Sequence, residues 1–140
     1  MNQAQYTLTI STNGRELHEI TPQVVAWVSA RSISVGLLTI FVRHTSASLL
    51  IQENAAPDAR RDLESFFDRL VPESSGLYRH NEEGPDDMPA HIRTALTQSS
   101  VAIPITERRM ALGTWQGLFL FEHRVRPHRR EIVLHLIGAR

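Results

Sequence analysis

The sequence predicts a single α+β domain whose sheet or sandwich is largely antiparallel, with about seven strands and about three helices. Segments with strand-like patterns occur in runs that amphipathic helices interrupt, whereas an α/β fold would show strict alternation of the two. A length of 140 residues suits one domain, 1–140, with enough chain for a core. The sequence contains no internal repeat, low-complexity stretch or linker that would divide it.

The strands are predicted from alternation and from continuous apolar segments. Apolar residues of 6–10 alternate with threonine, which indicates one buried face, and Asn13-Gly14 then gives a hairpin signal. The almost wholly apolar segment 36–44 is typical of a central strand buried on both faces. Pro104 places its strand at an edge or a bulge. In chain order the predicted strands are 6–10, 15–20, 36–44, 49–51, 101–105, 118–122 and 131–137.

The three helices are predicted from capping residues and helical periodicity. Thr21-Pro22 suits the N-cap and first helical position of a short helix that ends near residue 30. Pro57 opens a longer helix, in which an apolar stripe from Leu63 to Val71 indicates packing against the core. Pro89 starts the third helix.

The composition excludes several classes of function. The chain has no cysteine, which excludes disulfides, thiolate nucleophiles and thiolate metal sites. It also has no lysine, which excludes a side-chain Schiff base and the P-loop lysine. A net charge of zero, with no basic run that interleaves with aromatic residues, predicts no nucleic-acid partner. Without a membrane-spanning apolar segment or a signal-peptide pattern, we expect a cytoplasmic protein that does not bind membranes.

The loop 78–91 is the main candidate for function. It holds two histidines, four carboxylates, a glycine and two prolines, which indicates a shaped loop. Neutral imidazole and carboxylate are donors that zinc and similar ions accept, so His80 and His91, with Asp86 and Asp87 between them, are candidates for a metal or substrate site. The alternative is a solvated acidic loop whose aspartates cap the next helix.

Polar residues at the ends of apolar segments are further candidates. His44 ends the predicted central strand and Glu53-Asn54 follow the next apolar segment, positions at which a strand holds side chains rigidly. The arginine-rich turn 124–130 is either a solvated hairpin end or a phosphate-binding rim, since arginine offers two parallel donors. Trp115 either stacks on an aromatic heterocycle or packs in a core or a subunit interface.

Several motifs follow one another along the chain. They are His44-Thr45-Ser46-Ala47-Ser48-Leu49, Glu53-Asn54, Tyr78-x-His80, Gly84-x-Asp86-Asp87-Met88-Pro89-x-His91 and Leu112-Gly113-Thr114-Trp115-Gln116, with Glu122. Together they resemble the YjbQ family, also called UPF0047, over essentially the whole chain. The resemblance implies a small α+β protein rich in β-structure that forms a homotrimer. It also implies a polar pocket built from the histidine motifs, which in some members resembles a metal site.

The resemblance further implies a weak, secondary thiamine-phosphate synthase activity, a transferase reaction. That reaction joins hydroxymethylpyrimidine pyrophosphate to a thiazole phosphate and releases pyrophosphate. Because the chain has no lysine, a metal ion or an arginine must neutralise the negative charge of the pyrophosphate leaving group. Two alternatives stay open: a metal-dependent hydrolase of a phosphorylated small molecule, and a non-catalytic metabolite-binding protein.

The residues of the motifs receive roles accordingly. We expect His44, His80, Asp87 and His91 to be catalytic, with the three histidines holding a divalent ion such as zinc or magnesium. The expected substrate-binding residues are Ser46, Glu53, Asn54, Trp115, Gln116 and Arg129.

Two residues depart from the family's pattern. Ala56 stands where the family usually has an aspartate before the proline of the long helix, and the lost N-cap costs about 1 kcal/mol. Arg108 stands where the family usually has a glycine, so a positive φ there means strain or a changed turn. Glu122 follows an apolar strand, and we expect it to pair with an arginine such as Arg124 or Arg129.

Overall fold

The computed structural model describes residues 1–74 and 76–140, and the elements within these ranges confirm the α+β class. The strands are β1 (Asn2–Thr12), β2 (Glu16–Glu19), β3 (Val35–Val42), β4 (Ala47–Glu53), β5 (Ser100–Thr106), β6 (Arg109–Met110), β7 (Gln116–Glu122) and β8 (His128–Ala139). The helices are α1 (Thr21–Ser29), α2 (Pro57–Leu70) and α3 (Asp87–Leu96).

The strands form two antiparallel sheets that share one core. The larger sheet has the order β1-β8-β3-β5-β6 and the smaller one has the order β2-β7-β4. Inward-facing residues of the larger sheet, such as Leu38 and Leu134, belong to the same buried cluster as Leu49 and Leu120 of the smaller sheet. The predicted antiparallel sheet or sandwich is therefore confirmed.

The hairpin predicted at Asn13-Gly14 is wrong. Strand β1 pairs with β8 in the larger sheet, whereas β2 pairs with β7 in the smaller one. Strands β1 and β2 follow one another along β8 and β7, and burial determines these partners: Leu17 of β2 packs with Phe119 and Phe121. Burial of apolar surface against distant strands outweighs a local turn preference.

One strand beyond those predicted is the short β6, which pairs with the end of β5 after a tight turn. Glu107 and Arg108 in this turn have φ values of 49° and 66°, in the left-handed region. The expected strain at Arg108 is therefore present, since such a conformation costs a non-glycine residue about 1–2 kcal/mol. The Arg108 guanidinium partly offsets this cost, because Nη2 donates to the carbonyl oxygens of Ser29 and Arg31, each at 3.0 Å, at the end of α1.

The chain path brings three segments together at one end of the smaller sheet. These are the β3–β4 connection, the start of α3 and the β7–β8 connection, as the contacts of Thr45, Asp87 and Arg124 show. No helix in the described part of the chain has the length and apolar character needed to cross a membrane.

Candidate functional site

The site is built around Asp87, a buried carboxylate in the first turn of α3. Its Oδ2 atom lies 2.8 Å from Nε2 of His80, and its Oδ1 atom lies 3.4 Å from Nε2 of His91. Asp87 and His91 are four residues apart on one helix and therefore share a face. His80 comes from the loop before the helix, and the three ligand atoms all lie within 4.8 Å of one another. The structure thus brings together three of the four residues expected to be catalytic.

The hydrogen bond of His91 to Thr45 shows which ring nitrogen is free to bind a ligand. Nδ1 of His91 lies 3.0 Å from the carbonyl oxygen of Thr45. A carbonyl only accepts, so Nδ1 carries the ring proton and Nε2 of the neutral ring presents a lone pair to Asp87. A lone pair that faces a carboxylate needs a proton or a cation between them. Metal-binding histidines characteristically donate their second N–H to a carbonyl in this way, so the donor set fits a divalent ion.

Arg124 holds the carboxylates of the site in place. Its Nε donates to Oδ2 of Asp86 at 2.9 Å, Nη1 donates to Oδ1 of Asp87 at 3.0 Å, and Nη2 donates to the carbonyl of Glu83 at 2.9 Å. The hydrogen bond with Asp86 raises the pKa of Arg124. Burial alone would raise the pKa of Asp86, but the bonds from Arg124 and from the backbone N–H of Val125 outweigh it and lower that pKa.

This role of Arg124 was not predicted from the sequence, where the residue was considered only as a member of the basic turn and as a partner of Glu122. It lies 37 residues from Asp87 in the chain. The available signal was that the lysine-free sequence places an arginine two residues after the end of β7.

An open cleft of about 850 Å³ lies beside the three-residue cluster. This volume is in the range of about 300–1,000 Å³ that is usual for small-molecule sites. Its wall is rich in hydroxyl and imidazole groups, and the lining includes His44, Thr45, Ser46, His91, Thr94 and Thr97. His91 belongs both to the cluster and to the cleft, so a ligand in the cleft would reach the cluster.

His44 lines this cleft but lies outside the cluster of His80, Asp87 and His91. Its Nε2 atom accepts a hydrogen bond from the backbone N–H of Glu131 at 2.8 Å. That bond occupies the lone pair that a metal would need. Burial lowers the pKa of His44, and the charge of Arg130 lowers it further.

A buried ion pair links a residue of the cleft to a residue beside the cluster. Nε of Arg130 donates to Oε1 of Glu122 at 2.7 Å, and the hydroxyl of Thr12 donates to the same oxygen at 2.6 Å. Arg130 also donates to Oγ of Ser46 at 3.0 Å, and the backbone N–H of Arg124 donates to Oε2 of Glu122 at 3.0 Å. The expected pairing of Glu122 with an arginine is confirmed, although the guanidinium is that of Arg130.

The balance of interactions keeps Glu122 charged. Burial raises the pKa of Glu122, but the hydrogen bonds from Arg130 and Thr12 outweigh it, so the pKa is lowered overall. The ion pair therefore positions Ser46 on the cleft side and the backbone of Arg124 on the cluster side.

A buried histidine, His123, lies close enough to Arg130 to feel its charge. Nε2 of His123 is 2.8 Å from Oγ of Ser48, whose oxygen also accepts from the hydroxyl of Thr97 at 2.6 Å. Burial lowers the pKa of His123 to about 3, with further lowering by the charges of Arg93 and Arg130. The side chain of His123 is fully buried in the interior.

The expected substrate-binding residues Glu53, Asn54 and Gln116 lie at the other end of the smaller sheet. In the β4–β7 pair, Ala47 is opposite Glu122 at one end and Glu53 is opposite Gln116 at the other. Strand β4 has seven residues, so these ends are about 20 Å apart. Within one chain the structure does not bring these residues to the cluster.

The polar groups at this far end bond to their own surroundings. Oε2 of Glu53 accepts from the backbone N–H groups of Ala55 and Ala56 at 3.1 and 2.9 Å. Nδ2 of Asn54 donates to Glu19 at 3.0 Å. The backbone N–H of Gly113 donates to Oε1 of Gln116 at 2.7 Å.

Two further expected substrate-binding residues, Trp115 and Arg129, have exposed side chains. Trp115 is 63% exposed in the turn before β7. Arg129 is exposed on β8, opposite Ser11 of β1. Neither lines the cleft.

Comparison with known proteins shows one consistent likeness. The family model for UPF0047 protein YjbQ-like matches residues 6–139. The chain is 56% identical to UPF0047 protein sll1880 of Synechocystis sp., over 97% of this chain and 92% of that protein. It is 41% identical to UPF0047 protein YjbQ of Escherichia coli O157:H7, over 96% of this chain and 97% of that protein.

Solved structures share the fold. An uncharacterized conserved protein of the yjbq/upf0047 family from Clostridium acetobutylicum is similar with a TM-score of 0.83 and 34% identity, over 96% of this chain and 99% of that one. A YbjQ-like protein of unknown function from Sulfolobus solfataricus is similar with a TM-score of 0.85 and 25% identity, over 98% and 99% of the two chains.

Proposed function

The chain belongs to the UPF0047 (YjbQ-like) family, and we propose that it is a metal-dependent hydrolase of a phosphorylated small molecule. One observation carries this proposal: two imidazole nitrogens and a buried carboxylate converge within 4.8 Å at the edge of the large cleft. The proton on Nδ1 of His91 is held by Thr45, which leaves a lone pair directed at Asp87. A cation is the natural occupant of such a position.

The donor set fits zinc better than magnesium. His80, Asp87 and His91 would hold the ion, and two imidazoles with one carboxylate are typical of catalytic zinc sites. When bound, such an ion supplies a Lewis acid and a nucleophilic water at neutral pH. Magnesium prefers an all-oxygen shell and keeps several waters, which this site does not favour.

The residues of the chain supply orientation and charge. Thr45 fixes the ring of His91, and Arg124 fixes Asp86 and Asp87 at once. Because one guanidinium faces the two carboxylates, the site carries less negative charge and repels an anionic substrate less. The exposed hydroxyl groups of the cleft, among them those of Thr45 and Ser99, are suited to hydrogen-bond a polar substrate.

The thiamine-phosphate synthase activity that the resemblance implies stays a second candidate. Release of pyrophosphate needs the same neutralisation of charge as phosphoester hydrolysis. The distance of Trp115 and Gln116 from the cluster argues against their stacking on and hydrogen-bonding a heterocycle there within one chain. A non-catalytic metabolite-binding role would use the same cleft without turnover.

Homotrimer formation and cytoplasmic location also stay predictions. Self-association is supported by the outer face of the larger sheet, where Leu37, Phe41 and Ile137 are 43%, 45% and 38% exposed. Light scattering of the purified chain would decide the assembly, since a trimer has three times the mass of the chain.

Metal content and hydrolysis together test the proposed function. We expect the zinc-loaded chain to hydrolyse phosphomonoesters such as p-nitrophenyl phosphate. His80→Ala and His91→Ala should each lower zinc affinity at least about 100-fold and abolish hydrolysis, since losing even an outer-shell partner costs about 10–100-fold. The matched control is His135→Ala, because this partly exposed histidine lies outside the cleft and the cluster and, among the described residues, its ring bonds to Gln5.

The outcomes separate the candidates. Unchanged zinc content in both cluster variants would refute the ligand assignment. Zinc binding without hydrolysis of any phosphomonoester would refute the hydrolase and favour the binding role. Formation of thiamine phosphate from its two precursors, lost in His91→Ala, would favour the synthase.

A further inference from the structure

His44 and His91 face the same cleft but bind their surroundings in opposite ways. His91 donates through Nδ1 and presents the lone pair of Nε2 to Asp87. His44 instead accepts through Nε2, from the backbone N–H of Glu131 at 2.8 Å. The two rings are therefore fixed in position by different atoms, and each leaves a different ring nitrogen for a ligand.

The bond from Glu131 determines where the proton of His44 lies. A backbone amide only donates, so Nε2 carries no proton and the neutral ring carries its proton on Nδ1. If Nε2 were protonated, its N–H would face the backbone N–H of Glu131, and two donors would meet without an acceptor between them. Burial and the charges of Arg130 and His128 also oppose a second proton, whereas Glu131 and Glu122 favour it, and the pKa is lowered overall.

The Nδ1–H of His44 is left free for a ligand. Among the described residues no group accepts from it, and the side chain is only partly buried at the wall of the cleft. The exposed residues Thr45 and Ser99 line the same cleft. No carboxylate belongs to the described lining, whereas Arg43 does, with its guanidinium 3.3 Å from Glu131. A free donor in a wall without carboxylates suits an anionic oxygen.

We propose that His44 binds a phosphoryl oxygen in the cleft through its Nδ1–H, as a neutral hydrogen-bond donor and not as a metal ligand. The proposal shares the cleft with the proposed function and deepens it by naming the group that holds the substrate's phosphate. A neutral donor keeps this role across the physiological pH range, whereas an imidazolium would lose its second proton near neutrality.

The tautomer is the first test. In metal-free protein with ¹⁵N-labelled histidine, we expect the ring signals of His44, assigned with His44→Gln, to show protonated Nδ1 and unprotonated Nε2 at pH 7 to pH 8 and to titrate below the ordinary histidine pKa. An Nε2–H tautomer, or titration near the ordinary histidine pKa of about 6.5, would overturn the proposal.

Phosphate binding is the second test, with inorganic phosphate as the probe and metal-free protein as the sample. The amide nitrogen of asparagine lies near the position of Nδ1, whereas that of glutamine lies near the position of Nε2. His44→Asn should therefore keep the wild-type affinity within about threefold, while His44→Gln and His44→Phe lose about tenfold, the usual effect of one hydrogen bond to a charged group.

The phosphate affinities of the His44 variants are measured without metal, so they test the inference separately from the zinc site. Equal affinities in His44→Asn and His44→Gln, no loss in His44→Phe, or no binding to the wild type at millimolar phosphate would each refute the inference. If the His44 series behaves as expected while His80→Ala and His91→Ala keep their zinc, the hydrolase fails and the phosphate-binding role of His44 stands.

Discussion

The two ends of the β4–β7 strand pair are both rich in polar residues, but they use them differently. At the end where Ala47 faces Glu122, the polar side chains are buried and bond to partners far along the chain. Arg130 and Ser46 are 84 residues apart, and Arg124 and Asp87 are 37 apart. At the end where Glu53 faces Gln116, the bonds of these two side chains reach only two or three residues along the chain, although the neighbouring Asn54 bonds to Glu19, 35 residues away.

The difference separates polar residues that cap from polar residues that form a site. A short-range acceptor satisfies nearby backbone N–H groups and has little left for a ligand. Long-range partners fix a side chain through some of its atoms and leave others free, as with Nε2 of His91 and Nδ1 of His44. Changes at His123, Glu122 and Glu53 test whether this contrast between the two ends holds.

The largest effect is expected at His123, through the pH dependence of stability. Its pKa is lowered from 6.5 to about 3 in the folded chain, because it is buried beside Arg93, Arg130 and Arg15. The unfolded chain takes up this proton near pH 6.5, so the contribution of His123 is fully present above pH 6.5 and is lost as the pH falls toward 3. The loss is on the order of 4–5 kcal/mol.

Chemical denaturation between pH 7 and pH 4 measures this effect. His123→Phe should remove a slope of about 1.4 kcal/mol per pH unit, even if the variant is less stable at pH 7. His135→Gln, at a partly exposed histidine, is the matched control and should keep the slope. An unchanged slope in His123→Phe would show that His123 is not held neutral in the interior.

The second prediction concerns the ion pair that joins the cleft to the cluster. Glu122→Gln leaves Arg130 buried without a charged partner, and we expect a loss of about 3–5 kcal/mol in the free energy of unfolding at pH 7. Glu16→Gln is the control, because Glu16 pairs with His18 at a half-exposed position on β2, where such a pair contributes about 0–1 kcal/mol. Similar losses in the two variants would contradict the special role of the buried end.

The fold was predictable because its strands and helices follow local patterns. Alternation, the apolar segment of β3 and the stripe of α2 are visible in the sequence, and so is the four-residue spacing of Asp87 and His91. The pairing of β2 with β7 was not visible, since it depends on which distant apolar faces Leu17 meets. The predicted hairpin failed for that reason.

The site was predictable only in part for the same physical reason. His80, Asp87 and His91 lie close together in sequence, whereas Arg124 reaches them from the β7–β8 connection. A sequence shows which groups are polar but not which of their atoms are already bonded. Glu53 and Gln116 were therefore expected to share one site with His44, as substrate-binding residues, until their short-range partners were known.

The smallest effect is expected at the far end, from Glu53→Ala. This change removes the acceptor of the N–H groups of Ala55 and Ala56, just before α2, where Ala56 offers no side-chain cap of its own. We expect a loss of about 1 kcal/mol in the free energy of unfolding, the usual effect of losing a cap, with zinc content and hydrolysis unchanged. Denaturation, metal analysis and the phosphomonoester assay on the same preparation measure all three. Loss of hydrolysis with the fold and the zinc intact would mean that the far end takes part in the site, which the separation of the two ends allows only if a second copy of the chain brings Glu53 to the cleft.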